Sequence, residues 1–326
     1  MSEPIAPLFV LSLPRAGSTL VQRVLSVHPD VATASEPWVL LPLLGALRPL
    51  PQGGRWQAEV AGALGDFAGV LPGGAEGYRA IMRDAALRLY REAAGPGPRF
   101  FLDKSPPYAL LADELLTAFP TAPVLFLWRH PLAVVSSLVE TFRGGRWRPD
   151  DYAISLFAGL DALVAAAVRH EARAVAVRFE ELIGGPPERW RALAAALDVP
   201  FDDAALERFA EIRLDGRFGD PTGVRAYRAL AADPLAKWRT TVGASPVRRA
   251  WCRRYLRWIG RERLAVMGYD LDDLLRELDA LGSPPAGATA RDALDVARTL
   301  TRDALRARLP GGRGTPSSWR CLLSVR

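Results

Sequence analysis

The sequence is short of the residues that build metal centres and disulfide frameworks. Its two cysteines, Cys252 and Cys321, stand in no ligand spacing, which excludes a zinc ribbon and a disulfide-stapled small fold. Three histidines, His28, His130 and His170, are scattered along the chain, so no metal site is expected. Long apolar runs are missing too. The most apolar stretch, Ile154 to Val168, contains Asp161 and is too short to cross a bilayer, so no membrane partner is expected. The N-terminus, MSEPIAP, lacks the basic and apolar regions of a signal peptide, which points to the cytoplasm.

Lysine is the most telling shortage. Among 42 basic residues only Lys104 and Lys237 are lysine. A chain that uses arginine wherever charge alone matters keeps lysine where a compact, rotatable ammonium is needed. The net charge of +6 favours anionic ligands, and both nucleic acid and a phosphorylated small molecule fit it. The arginines are spread out, with no basic run interleaved with stacking aromatics.

What is present is an alternation of short apolar runs with helical patterns. Leu8 to Ser12, Arg99 to Leu102, Val124 to Trp128 and the AVAVRF stretch at 174–179 read as strands. Between them lie helical segments from Ser18 to Val27, after SEPW (with Ser35 or Glu36 near the cap), after Pro131, and from about Tyr152 to His170. Such alternation predicts an α/β fold, a parallel β-sheet flanked by helices. After Glu180 the chain reads as helical. Residues 1–281 are expected to form one domain, with an α/β core over about 8–183 and a helical part over 184–281. GSPPAGATA, at 282–290, reads as a linker to an amphipathic helix (Arg291 to Leu309) and a tail.

One stretch, FVLSLPRAGSTLVQRVL at 9–25, has the outline of a phosphate-binding loop. Against the pattern G-x-x-x-x-G-K-[ST], it keeps Gly17 and Thr19 but has Ser18 where the lysine belongs. A strand still runs into a turn at a helix N-terminus, where backbone N–H groups and the dipole favour an anion. A plain strand–turn–helix junction hinged at Gly17 is the alternative. A second element is FLWRHPLAVVSSL, where Arg129 at a strand end and Ser137 eight residues on converge on one anion, or else pair locally.

PRAGSTL followed by VHPDV resembles the phosphosulfate loop of sulfotransferases that use 3′-phosphoadenosine 5′-phosphosulfate (PAPS). The likeness is to the branch of tyrosylprotein sulfotransferases and their bacterial relatives. Ala16 and Ser18 depart from that branch's usual Ser and Thr. The resemblance implies a P-loop-like fold and PAPS as donor, with 3′,5′-bisphosphoadenosine (PAP) as product. It gives Arg15, Ala16, Gly17, Ser18 and Thr19 the 5′-phosphosulfate end, with Arg15 also a catalytic residue that shares the sulfonate and 5′-phosphate charge, and Arg129 with Ser137 the 3′-phosphate. AVRFEELI at 176–183, read as structural, and MGYD at 267–270 also resemble recurrent stretches of that branch.

Glu36 lies 21 residues after Arg15, the interval at which that branch carries its catalytic glutamate, so the resemblance makes Glu36 the general base. His28 and His130 each precede a proline and read as structural. Lys104, in LDKSP, matches a lysine that stabilises the leaving group, with Asp103 where asparagine is common; Lys237, in LAKW, resembles a later lysine near the cofactor. The reaction implied is metal-independent transfer of a sulfuryl group to a hydroxyl. A small-molecule acceptor is expected first and a tyrosyl peptide second, with no nucleic-acid partner. A P-loop kinase and a non-enzymatic nucleic-acid binder are the readings from other classes. The acceptor pocket is expected near Glu36, Trp38, the loop before Arg79, and Phe218 to Tyr227. KWRTTVGASP, with Pro246 where a known dimer motif has an acid, supports no oligomeric assignment.

Overall fold

The structure, a computed structural model, describes residues 5–47, 54–214, 216, 219, 233–282 and 288–306. Five strands form one sheet: β1 (Ala6–Ser12), β2 (Val31–Thr33), β3 (Phe100–Asp103), β4 (Val124–Trp128) and β5 (Val175–Arg178). Their order is β2-β3-β1-β4-β5, and every pairing is parallel. Parallel sheets are covered by helices on both faces, so their central strands are apolar throughout. APLFVLS in β1 and VLFLW in β4 fit that requirement, and the expected α/β class is the class observed. β2 escapes the sequence reading because three residues carry no usable period.

Alternate side chains of a strand point to opposite faces. Leu8, Val10, Leu125 and Leu127 therefore enter one core with Leu20, Val24, Phe179, Trp190 and Phe209. Phe9, Leu11, Phe126 and Trp128 enter the other, packed among Leu132, Leu138, Leu156, Leu163 and Tyr255. The chain leaves β1 toward β2 and β3 on one side and continues to β4 and β5 on the other. In open α/β sheets, ligands bind outside the carboxyl ends of the strands at such a switch point. All the strands present those ends to the same edge.

Beyond β5 the described elements are helices. The helix Pro246–Val266, broken at Gly260 (φ 78), carries the buried Arg248. Arg248 donates from Nε and Nη2 to the two oxygens of Asp292, at 2.7 and 3.1 Å. It also donates to the carbonyls of Thr241 and Gly145, both at 3.0 Å. Asp292 and Asp295 belong to the helix Ala288–Arg306, and Arg146 reaches Asp295 at 2.7 Å. This helix thus lies against the ends of the helices Pro131–Arg143 and Asp233–Gly243, which carry Ser137 and Lys237. The tail after Pro310 lies outside the described residues.

Removing one partner of a buried ion pair leaves the other charge without compensation. Asp292→Ala is therefore expected to lower unfolding stability by about 3–5 kcal/mol in urea titration. A loss under about 1 kcal/mol would match a surface pair instead.

Candidate active site

The loop after β1 is shaped by two positive-φ residues, Arg15 (φ 68) and Gly17 (φ 95). Left-handed backbone suits glycine but costs a side-chain-bearing residue about 1–2 kcal/mol. Arg129 offsets the strain at Arg15, its Nη1 donating to the Arg15 carbonyl at 2.7 Å. Gly17 is required twice over, because a Cβ there would stand 2.2 Å from the ring of Phe179. The turn opens into the helix Ser18–Leu25, with Gly17 as its cap. The amides of Gly17, Ser18 and Thr19 find no acceptor among the described residues. Orphan donors at a helix start, in a turn with two positive-φ residues, have the geometry that suits an anion.

Glu36 and Lys104 meet beside this loop. The Lys104 ammonium donates to Glu36 Oε1 at 2.7 Å and to Thr19 Oγ1 at 3.3 Å. Lys104 side-chain exposure is 1 % and that of Glu36 is 10 %, so the pair is largely shielded from solvent. Trp38 Nε1 donates to the other carboxylate oxygen at 3.1 Å. SEPW does not open the helix that its sequence suggests. The helix spans Leu40–Leu44, and Trp38 has a left-handed backbone (φ 53). The physical reason is tertiary. Gln22 Nε2 holds Thr33 Oγ1 and the carbonyls of Ala34 and Ser35, at 2.7, 2.6 and 3.2 Å, while Lys104 holds Glu36, so the segment stays extended.

Arg15 Nε donates to Ser137 Oγ at 3.1 Å, and the Arg129 guanidinium lies 4.9 Å from the Phe179 ring centre. Arg15, Arg129 and Ser137 therefore form one contact group, and Thr19, Glu36 and Lys104 a second. The loop joins the two.

A model of the sulfotransferase family matches residues 7–203. The chain belongs to the sulfotransferase family. The nodulation protein NoeE of Sinorhizobium fredii is 28% identical over 305 residues, covering 83% of this chain and 68% of that protein. The protein-tyrosine sulfotransferase of Drosophila melanogaster is 27% identical over 210 residues, covering 61% of this chain and 39% of its own length. Among solved structures, the sulfotransferase domain from the curacin biosynthetic pathway has the same fold. It superposes with a TM-score of 0.51 at 22% identity, over 74% of this chain and 92% of that domain.

The remaining sequence candidates of this sulfotransferase are more dispersed. Lys237 is exposed on the helix Asp233–Gly243 and joins none of these contacts. Its neighbour Trp238 stacks on His130 at 4.6 Å, next to Arg129. His130 Nδ1 accepts from the Leu132 amide and caps the helix Pro131–Arg143. Burial, with Arg129 and Arg239 nearby, pushes its pKa down to about 3, so the imidazole is neutral and suited to that cap. His28 Nδ1 accepts from the Asp30 amide at 3.2 Å. A cavity of about 840 Å³ is lined by His130, Glu180, Trp238 and Tyr269, and Arg15–Thr19 are not in its lining. The helix Gly74–Ala94 includes Arg79, which is paired with Glu76. Residues Phe218 to Tyr227 lie outside the described residues. No group of three or more metal-ligating side chains is found among the described residues, and no helix there is long and apolar enough to cross a membrane.

Phe179, Gln22 and the surroundings of Asp103 were missed as parts of the site. Asp103 is buried and accepts from Tyr90, Tyr108 and Ser105, at 2.7, 3.0 and 2.9 Å. Its carboxylate turns away from the adjacent Lys104, whose ammonium pairs with Glu36 instead. Burial raises the Asp103 pKa from 3.8 to about 6, against the lowering effect of those three hydrogen bonds and of Lys104. A raised carboxyl pKa means that the folded state holds its proton longer than the unfolded chain does. Stability from this group is then present below the unfolded pKa and lost as pH rises toward 6. Relative to Asp103→Asn, the native protein is expected to lose about 2 kcal/mol of unfolding stability between pH 4 and pH 7. Parallel urea titrations across that range check the sign; a constant difference would contradict it.

Proposed function

We propose that this sulfotransferase draws its sulfuryl group from PAPS and passes it to a hydroxyl of a small-molecule acceptor, with Glu36 as general base. The observation that carries the reading is the chain of contacts from Thr19 through Lys104 to Glu36, at the end of an anion cradle. Glu36 accepts one hydrogen bond on each oxygen and keeps further lone pairs for an acceptor O–H. It takes that proton as the acceptor oxygen bonds to sulfur and the bond from sulfur to the bridging phosphate oxygen breaks. Lys104 has three N–H groups, two of them used by Glu36 and Thr19, and the third is available to the oxygen that gains charge.

In this reading the amides of Ala16 to Thr19 and the Arg15 side chain bind the 5′-phosphosulfate end. Arg129 and Ser137 bind the 3′-phosphate: Ser137 accepts from Arg15 and keeps its own O–H to donate. Lys237, exposed on the helix whose Trp238 packs on His130, is the further positive charge assigned to the cofactor. PAP leaves as product and no metal takes part. A tyrosyl peptide is the second acceptor class, favoured by the likeness to protein-tyrosine sulfotransferases.

Calorimetric titration with PAP and with ATP, each with and without Mg²⁺, tests the donor. Metal-independent preference for PAP is expected, weakened roughly 10–100-fold in Arg129→Ala; equal affinity for ATP would overturn it. For the base, Glu36→Gln is expected to keep PAP affinity and lose about 10²–10⁴-fold in turnover. The assay runs PAPS against a panel of alcohols, phenols and tyrosyl peptides, which also separates the acceptor classes. Undiminished turnover would remove Glu36 from that role.

A further inference from the structure

The turn behind Glu36 is held by two hydroxyls, and both hydroxyls are directed by Asp103. Ser105 Oγ donates to Asp103 Oδ1 at 2.9 Å and accepts from the Trp38 amide at 3.3 Å. Tyr108 donates to Asp103 Oδ2 at 3.0 Å and accepts from the Leu40 amide at 3.1 Å. A hydroxyl has a single proton, so giving it to the carboxylate leaves only lone pairs to face the backbone. The Leu40 amide is an orphan donor of the helix Leu40–Leu44. Trp38 is a bulky residue in left-handed backbone (φ 53), a conformation that persists only where its surroundings over-determine it. Tyr90, stacked on Phe101 at 4.7 Å, donates a third hydrogen bond to Asp103.

We infer that Asp103 is a positioning residue for Glu36, acting through Ser105 and Tyr108 to fix the Trp38 turn whose indole orients the carboxylate. An ionised carboxylate only accepts hydrogen bonds. An amide of the same shape presents a donor at one of its two positions, which then faces Ser105 or the two tyrosines and breaks at least one relay. Here two tyrosines and a serine all bring protons to the same group, and only a carboxylate accepts from all three. Burial of that charge is unfavourable, and its hydrogen bonds serve the turn that carries the base rather than Lys104. The inference rests on Glu36 being the base, while the relay itself does not.

Amide hydrogen exchange at Trp38 and Leu40 in the full chain reads the relay without reference to turnover. Ser105→Ala is expected to speed exchange at Trp38 about fivefold or more, and Tyr108→Phe to do so at Leu40. Asp103→Asn is expected to speed at least one of the two. The fastest acceptor of the alcohol, phenol and tyrosyl-peptide panel then reads catalysis. Asp103→Asn and Ser105→Ala are expected to lower kcat roughly 10–100-fold, with KM and the Kd for PAP within about twofold. Added to Glu36→Gln, Asp103→Asn is expected to change the residual rate by less than about twofold, because both act through one group. Unchanged exchange in all three relay variants would overturn the relay. Faster exchange with unchanged kcat, or full additivity with Glu36→Gln, would overturn the positioning role. Wild-type turnover of Glu36→Gln would overturn the base assignment by itself and leave exchange to judge the relay.

Discussion

Lys104 is almost fully buried, and an ammonium in that position needs a counter-charge and hydrogen-bond acceptors. Glu36 and Thr19 supply them. That requirement draws together three stretches of chain that are far apart in sequence: the loop after β1, the segment after β2 and the end of β3. The chain uses arginine for charge almost everywhere else. A guanidinium is planar and forked, and it does not replace a compact ammonium between a carboxylate and a threonine hydroxyl.

The second constraint is the close approach of the loop to Phe179. The glycine lets the backbone lie against the ring, and the ring in turn supports the guanidinium of Arg129. Arg129 then holds the carbonyl of Arg15 in its left-handed conformation. Loop shape and charge placement thus depend on each other. Farther out, Arg248 joins Asp292 to the carbonyls of Gly145 and Thr241. The helix Ala288–Arg306, outside the family match, is thereby linked through Arg248 to the C-terminal ends of the helices that carry Ser137 and Lys237.

Most of the fold was legible because it depends on local patterns. The buried strands β1 and β4 are apolar runs, and the helices between them carry a clear period or a proline at the start. β2 was not legible, since three residues pair with β3 through backbone hydrogen bonds that composition does not record. The SEPW segment was misread for a related reason. Its sequence has the features of a helix start, but Gln22 and Lys104 take its carbonyls and its carboxylate from elsewhere in the chain. In the sequence, Asp103 is marked only as a neighbour of Lys104. Its partners are a tyrosine on a helix thirteen residues earlier, another five residues later and a serine two residues away, and no motif connects them.

The sequence alone determined the α/β class, the strand–turn–helix loop after β1 and the identity of the charged residues, because these follow from periodicity, spacing and side-chain chemistry. Tertiary structure decided which of those residues touch. Hydrogen bonds between side chains reach only about 3 Å, and contacts at that range across 68 residues, as between Lys104 and Glu36, exist only once the sheet has brought its strand ends to one edge.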